Sequence, residues 1–511
     1  MSKGVVNQII RGTVVIVFIR VLAKFTAFIS EAILASYLGT NAVGDAYYMV
    51  TNIQYVIYPM LSIGIWKVFL PLYKSHITKG QVREAHALAD SAISFFTLAS
   101  LFIVGLLILF AGPVVSVVAP GFRGQTRKLC IELVRISAPM YILITAAAIY
   151  ASMLQCHNRF LGSQIREIAS HVPTILAALF LYQKYGIRVL AIALVAGGAL
   201  RLLVELPFVN WGYRYRPNFK FKTPEFILIL KRLPSAWISE AVTQLNSLVD
   251  KMMASGLKEG TISGLNYGHR LVNVFSGLLS TSIATALYPQ MIELATKGEK
   301  DALSRLLVKI INIFSVLMIP VTLACVLFRT ELVRAVYQRG SFDESSVALT
   351  SGVFALYSIG IFFIACNAVI TNLFYGYGNT KTPMFFCIQN LVTNVVLNLV
   401  LISLWGVNGL ALATSLSAVI SFFIQMICAK RYITMDLKRI LLTTGKVLAA
   451  SALACGLPRL LFNYVSINKY ATLAAAAVLG VGIYLCAVRI LRITELTELG
   501  AMVRRKLRRR G

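Results

Sequence analysis

Residues 14–38 read VVIVFIRVLAKFTAFISEAILASYL, an apolar run whose only charged side chains are Arg20, Lys24 and Glu31. About 20 apolar residues in helical form cross the roughly 30 Å of a bilayer's hydrocarbon, so the run is long enough to span it. It is too long for the apolar core of a secretory signal, and no small-residue cleavage site follows, so no cleavable signal is expected. A closed barrel is the only other spanning solution, and its strands alternate in polarity, which this run does not. The three charges are spaced i, i+4 and i+11, which puts them near one stripe of a helix. Charge at membrane depth is costly in lipid, so the stripe is expected to face a cavity or a partner.

Working outward, thirteen similar runs follow. With the first they predict fourteen helices over 12–38, 43–66, 86–113, 129–155, 160–182, 189–211, 234–255, 263–289, 310–328, 348–375, 383–403, 408–429, 440–458 and 470–488. The composition agrees: 58% of the 511 residues are hydrophobic and 14% charged, with mean hydropathy +0.76. Soluble domains carry about 45–50% apolar and about 25% charged residues. With the N-terminus placed in the cytoplasm, the cytoplasmic segments hold 30 Lys and Arg, the opposite loops 11, and the spans the remaining eight of 49. That bias is the positive-inside signal, and it predicts both termini in the cytoplasm of a bacterial cell (inner) membrane protein. The net charge of +29 is then a topology signal plus attraction to anionic membrane lipid, so no nucleic-acid partner is expected. The tail from Arg504 to Arg510 and the basic loop 214–232 both fit that account.

An internal repeat organises the helices. Glu31-Ala-Ile-Leu-Ala-Ser-Tyr-Leu in the first reads beside Asp250-Lys-Met-Met-Ala-Ser-Gly-Leu in the seventh, 219 residues on. Each then runs through a short turn into a Tyr-containing segment. The predicted architecture is an all-α polytopic membrane protein with two six-helix lobes, 1–211 and 234–430, around a central cavity. A basic cytoplasmic linker, 212–233, joins them. Two C-terminal helices lie within 431–490, and a basic tail occupies 491–511. Repeats of this kind place a substrate site between the halves.

The spans carry further charge. Arg270 follows His269 in the eighth helix, Asp250 and Lys251 sit in the seventh with Glu240 nearer its cytoplasmic end, and Arg135 and Arg201 add two cations. A mostly cationic cavity would attract a phosphate or pyrophosphate, because Arg binds oxygen pairs in a fork. The plainer account is internal salt bridging, for instance of Glu31 with Lys24 or Arg20. For Arg135, Arg201, Arg166 and Lys446 the plainer account is snorkelling to an interface. A neutral set, Asn390, Asn394 and Asn398 at i, i+4 and i+8 with Thr414 on the next helix, either bridges helices or joins Asp250 in an oxygen cage for Na⁺ or another monovalent cation. Eight cysteines without CxxC spacing read as small buried hydrophobes. No Walker A, HExxH, GxSxG or dinucleotide loop occurs, so an enzyme is not expected and no cofactor is implied beyond that cation.

Three blocks carry a resemblance: Gln244-Leu-Asn-Ser-Leu-Val-Asp-Lys-Met-Met-Ala-Ser-Gly-Leu through Ser263-Gly-Leu-Asn-Tyr-Gly-His-Arg270 to Pro289; Val336-Tyr-Gln-Arg-Gly-Ser-Phe; and Phe374-Tyr-Gly-Tyr-Gly-Asn-Thr-Lys-Thr-Pro383. Over nearly its whole length the chain resembles the MurJ (MviN) lipid II flippases of the multidrug/oligosaccharidyl-lipid/polysaccharide exporter superfamily. The resemblance implies alternating access, moving lipid II from the cytoplasmic to the outer leaflet for peptidoglycan synthesis. It implies a monomer working on a polyprenyl-diphosphate-linked glycan beside cell-wall polymerases, with the lipid tail in a groove involving helices 13 and 14. On it, Arg270 and Ser263 match cavity residues, and Asp45 matches an acid at the start of the second helix. Lys24 stands for a family arginine, with Arg20 and Glu31 on the same helix. Asp250, Asn394, Asn398 and Thr414 fall near a proposed sodium site. Ser30 and Tyr58 replace two family arginines. That leaves open a flippase for another undecaprenyl-linked oligosaccharide, an exopolysaccharide or teichuronic-type unit. A drug antiporter would need an acidic cavity.

Overall fold

The computed structural model describes residues 3–209, 211–379, 381–462, 469–493 and 495. The basic tail from Arg504 lies outside them. The described residues form helices only: α1 (Lys3–Leu38), α2 (Ala42–Pro59), α3 (Ile65–Thr78), α4 (Val82–Leu109), α5 (Ala111–Val118), α6 (Gly124–Ser137), α7 (Met140–Cys156), α8 (Phe160–Leu176), α9 (Tyr182–Tyr185), α10 (Arg188–Glu205), α11 (Pro224–Ala254), α12 (Thr261–Thr296), α13 (Lys300–Leu327), α14 (Arg329–Tyr337), α15 (Glu344–Ile359), α16 (Ile361–Gly376), α17 (Lys381–Trp405), α18 (Val407–Ala429), α19 (Leu437–Phe462) and α20 (Lys469–Ile490).

Among the described residues ten helical stretches are long and apolar enough to cross a membrane, and the pair α6–α7, bent by 41°, makes an eleventh if it is one span. The other three expected spans fall on α1, α11 and α12, of 36, 31 and 36 residues. Each of these three carries charge within its expected span. Several spans are not single rods, and the reasons are local. After Pro59, α2 passes through a π-helical turn, Met60–Gly64, into α3. Proline removes a backbone donor, and an inserted residue absorbs the mismatch. Pro139 separates α6 from α7, and Gly360 separates α15 from α16. Five of the eight cysteines are buried as expected, while Cys387 and Cys486 are exposed.

Two compact units emerge: Met1–Ser263 with Arg339–Phe342, and Gly264–Gln338 with Asp343–Gly511. In the first, α3, α4, α7 and α11 enclose Phe69, Tyr73, Phe96 and Phe226. Helix α11 lies against the π-helical turn so closely that a Cβ on Gly64 would sit 2.6 Å from Trp237. The same unit holds two related turns. The Ser341 amide donates to the Ser36 carbonyl at 2.7 Å, where Gly39 and Gly340 both have positive φ and each faces the other turn's backbone with no room for a Cβ. The Gly121 amide donates to Ser255 Oγ at 3.0 Å, again with no room for a Cβ. Ser36 and Ser255, and Gly121 and Gly340, are each 219 residues apart, the spacing of the sequence repeat. Each half of the chain thus supplies the turn that closes on the end of the other half's first helix.

Candidate functional site

The residues singled out from sequence fall into separate groups. On α1, Arg20 Nε donates to Gln164 Oε1 of α8 at 3.0 Å, and Lys24 is exposed. Ser30 and Glu31 are buried. Glu31 acts electrostatically on Lys251 of α11, as does Asp250, and the Lys251 ammonium donates to Asn52 Oδ1 of α2 at 3.1 Å.

Asp45 and Ser263 are brought together. One Asp45 oxygen accepts from both the amide and the hydroxyl of Ser263, each at 2.7 Å, and the other accepts from the Gly260 amide at 2.7 Å. The carboxylate satisfies donors at the first turn of α12, where the exposed amides and the helix dipole favour negative charge. Both side chains are buried. In this arrangement they lock the start of α12 to the start of α2.

In the second unit Arg270 is half-buried on α12. The neighbouring His269 ring lies 5.5 Å from that of Tyr357, and its Nδ1 lies 3.4 Å from the Asn273 amide nitrogen. Asn394, Asn398 and Thr414 also meet. Asn398 Nδ2 donates to Asn394 Oδ1 at 3.1 Å, and Asn394 Nδ2 donates to Thr414 Oγ1 at 3.3 Å. The amide donors occupy two of the oxygens a cation would need, so the trio as placed ties α17 to α18. Among the described residues no group of three or more His, Cys, Asp and Glu is placed to hold a metal ion.

Sequence reasoning missed a charged cluster in the first unit. Arg201 of α10, buried, donates to the Tyr58 hydroxyl of α2 and to Glu167 of α8. Its guanidinium carbon lies 5.0 Å from the centre of the Tyr58 ring. Arg166 reaches Glu205 at 3.2 Å and Glu167 at 3.4 Å. The available signal was that α8 and α10 each carry acid and base within one apolar stretch. A third feature is apolar: a 330 Å³ cavity among α13, α14, α19 and α20, lined by residues that include Pro320, Phe328, Leu332, Ala454, Leu473 and Tyr484.

The sequence profile described as "Lipid II flippase MurJ" matches residues 34–479. The chain belongs to the MurJ lipid II flippase family. The lipid II flippase MurJ of Burkholderia cenocepacia is 26% identical over 409 residues, covering 78% of this chain and 79% of its own. A solved MurJ in an inward closed conformation superposes with TM-score 0.81 at 22% identity, over 93% of this chain and 98% of that one. An inward-facing multidrug resistance MATE transporter of the MOP superfamily follows with TM-score 0.63 at 13% identity, over 81% and 98%. At these identities the two solved structures speak for the fold, which is the all-α polytopic architecture expected from the apolar runs.

Proposed function

We propose that this chain is a transporter, not an enzyme, that carries lipid II from the cytoplasmic to the outer leaflet of the inner membrane by alternating access. The observation that carries the reading is the family match over residues 34–479, which takes in Arg270, Asp45 and Ser263. Cations at membrane depth on α1 and α12 suit a diphosphate, whose paired oxygens match guanidinium forks. The apolar cavity beside α19 and α20 suits a polyprenyl tail, in keeping with 431–490 as the tail-binding segment. In this reading the protein has fourteen spans in two six-helix lobes plus two helices, has both termini in the cytoplasm, acts as a monomer, and delivers lipid II to cell-wall polymerases.

The alternative substrate, another undecaprenyl-diphosphate-linked oligosaccharide, draws on Ser30 and Tyr58 standing where the resemblance expects arginine. Against it, Arg201 brings a guanidinium over the Tyr58 ring from a different helix. A coupling cation such as Na⁺ would need Asp250, Asn394, Asn398 and Thr414, with the two amides turned to present oxygen. Sodium-dependent thermal stabilisation that vanishes in Asp250→Asn supports that site, and stabilisation that persists there refutes it.

The substrate reading is tested by depleting the endogenous lipid II flippase in a bacterium, expressing this chain, and scoring growth with surface-accessible lipid II. Rescue is expected, and Arg270→Ala should abolish it at wild-type protein levels. Failure of a stably inserted wild-type chain would assign the substrate to another lipid-linked glycan. Full rescue by Arg270→Ala would remove Arg270 from the cavity.

A further inference from the structure

Two guanidinium groups in the first unit converge on one carboxylate. Arg166 Nε lies 3.4 Å from one oxygen of Glu167, and Arg201 donates through Nη2 to the other. The three side chains differ in exposure: 15% for Arg166 and 8% for Arg201, against 41% for Glu167. The arginines are held from behind, Arg166 by the fully buried Glu205 at 3.2 Å and Arg201 by the Tyr58 hydroxyl. The acid in front of them is the outermost member of the cluster. It belongs to the candidate span Phe160–Tyr185, and Arg201 to Arg188–Phe208. An acid exposed at membrane depth faces water in preference to lipid. The same face of α8 carries Gln164, which accepts from the exposed Arg20 of α1 at 3.0 Å.

Glu167 does not satisfy the donors that surround it. The Nε–H groups of both Arg166 and Arg201 are buried and have no hydrogen-bond partner among the described residues. A buried donor left without an acceptor is destabilising, and more so when it is charged. A planar carboxylate offers two oxygens to two forks, too few to serve both. A diphosphate offers more oxygens, more charge and tetrahedral spread, which suits a pair of guanidinium groups approaching from different helices. The charge balance changes in the same direction. With Glu167 in place the two arginines face two acids; with Glu167 turned outward they face Glu205 alone, and the site becomes net positive. Glu167 therefore fills a position that is cationic in its absence and lies on a water-facing surface.

We propose that Glu167 is a resident counter-ion in a diphosphate subsite built by Arg166 and Arg201, and that an incoming lipid-linked diphosphate displaces it. That the diphosphate belongs to a transported lipid rests on the transport reading above; the exchange of a carboxylate for a diphosphate does not. In the empty protein the carboxylate keeps two buried cations from standing uncompensated. On displacement its half-exposed side chain turns into water, where a charge is readily solvated.

The test titrates the full-length protein in detergent with inorganic pyrophosphate, by isothermal titration calorimetry at constant ionic strength. Glu167→Gln removes the competing charge and should tighten pyrophosphate binding by about tenfold or more over wild type. Combining it with Arg201→Met, which leaves Arg166 and Glu205 to balance each other, should return the affinity to the wild-type level or below. Arg270 is unchanged in all of these proteins, so the differences report this site. Glycerol 3-phosphate, which carries the single phosphate of an ordinary lipid headgroup, should gain much less from Glu167→Gln. If Glu167→Gln does not fold, Glu167→Asp, which keeps the charge but shortens its reach by one methylene, should still tighten binding measurably. No tightening in either variant, a gain that survives Arg201→Met, or an equal gain for glycerol 3-phosphate overturns the proposal. A wild-type chain that fails to rescue a flippase-depleted strain removes lipid II as the substrate, and the pyrophosphate result stands apart from it.

Discussion

Two buried polar networks hold helices together in this protein, and they use different chemistry. In the first unit α2, α8 and α10 meet through Arg166, Glu167, Arg201, Glu205 and the Tyr58 hydroxyl, with formal charges that balance. In the second unit α17 and α18 meet through the neutral groups of Asn394, Asn398 and Thr414. A neutral amide that loses its partner forfeits one hydrogen bond. A buried ion that loses its partner forfeits far more, because desolvation has already been incurred. The ionic network is therefore the more fragile to single changes and the better suited to respond to an incoming anion. The amide network is the more tolerant, which fits a structural tie.

The largest effect should follow from breaking the ionic set. Arg201→Met takes the guanidinium away from Glu167 and leaves Arg166 alone to balance Glu167 and the buried Glu205, and should cost about 3 kcal/mol of stability in detergent unfolding. Adding Glu167→Gln should restore much of that loss, since Arg166 and Glu205 then balance each other. A single variant as stable as wild type would show that the network contributes little. A double variant no better than the single one would show that Arg201 matters for packing and not for charge balance.

A smaller effect is expected from the amides. Asn398→Ala removes the donor to Asn394 and should cost about 1–2 kcal/mol. A loss as large as that of Arg201→Met would erase the contrast between the networks and point to a bound ion among the amides.

The fold was legible in sequence where the signal is local. An apolar run of spanning length identifies a helix without knowledge of its neighbours. The breaks at Pro59, Pro139 and Gly360 were not part of that reading, which took each of these spans as one unbroken helix. What sequence could not supply is which face of a helix meets which other helix. Arg201 and Arg166 looked like snorkelling cations until α8 and α10 were placed side by side. Asp45 and Ser263 were singled out by resemblance, yet their mutual hydrogen bonds depend on two helix ends 218 residues apart meeting in space. The stretch after α10 shows the same limit: nothing in the sequence reading joined Asp90 to the Tyr213 hydroxyl that donates to it at 2.7 Å.

A third carboxylate sharpens the comparison at its weak end. Asp343 is exposed and caps α15, accepting from the Ser346 amide at 2.8 Å and the Ser345 hydroxyl at 2.8 Å. It is a charge held by neutral donors, a mixture of the two networks' chemistry, in water instead of the interior. Those donors, the Ser346 amide first, hold its carboxyl below the usual carboxylate range. A depressed folded value contributes stability that is present above the unfolded value and lost as pH falls through the folded one. Asp343→Ala should therefore cost about 1 kcal/mol near neutral pH, and Asp343→Ser much less, because a hydroxyl also caps. The difference between wild type and Asp343→Ala should shrink as pH drops below about 4, where the unfolded carboxyl begins to hold its proton. Measured unfolding midpoints across that range decide the matter. A difference independent of pH would mean that the carboxylate's charge plays no part, and that geometry alone sets the strength of a polar tie on this surface.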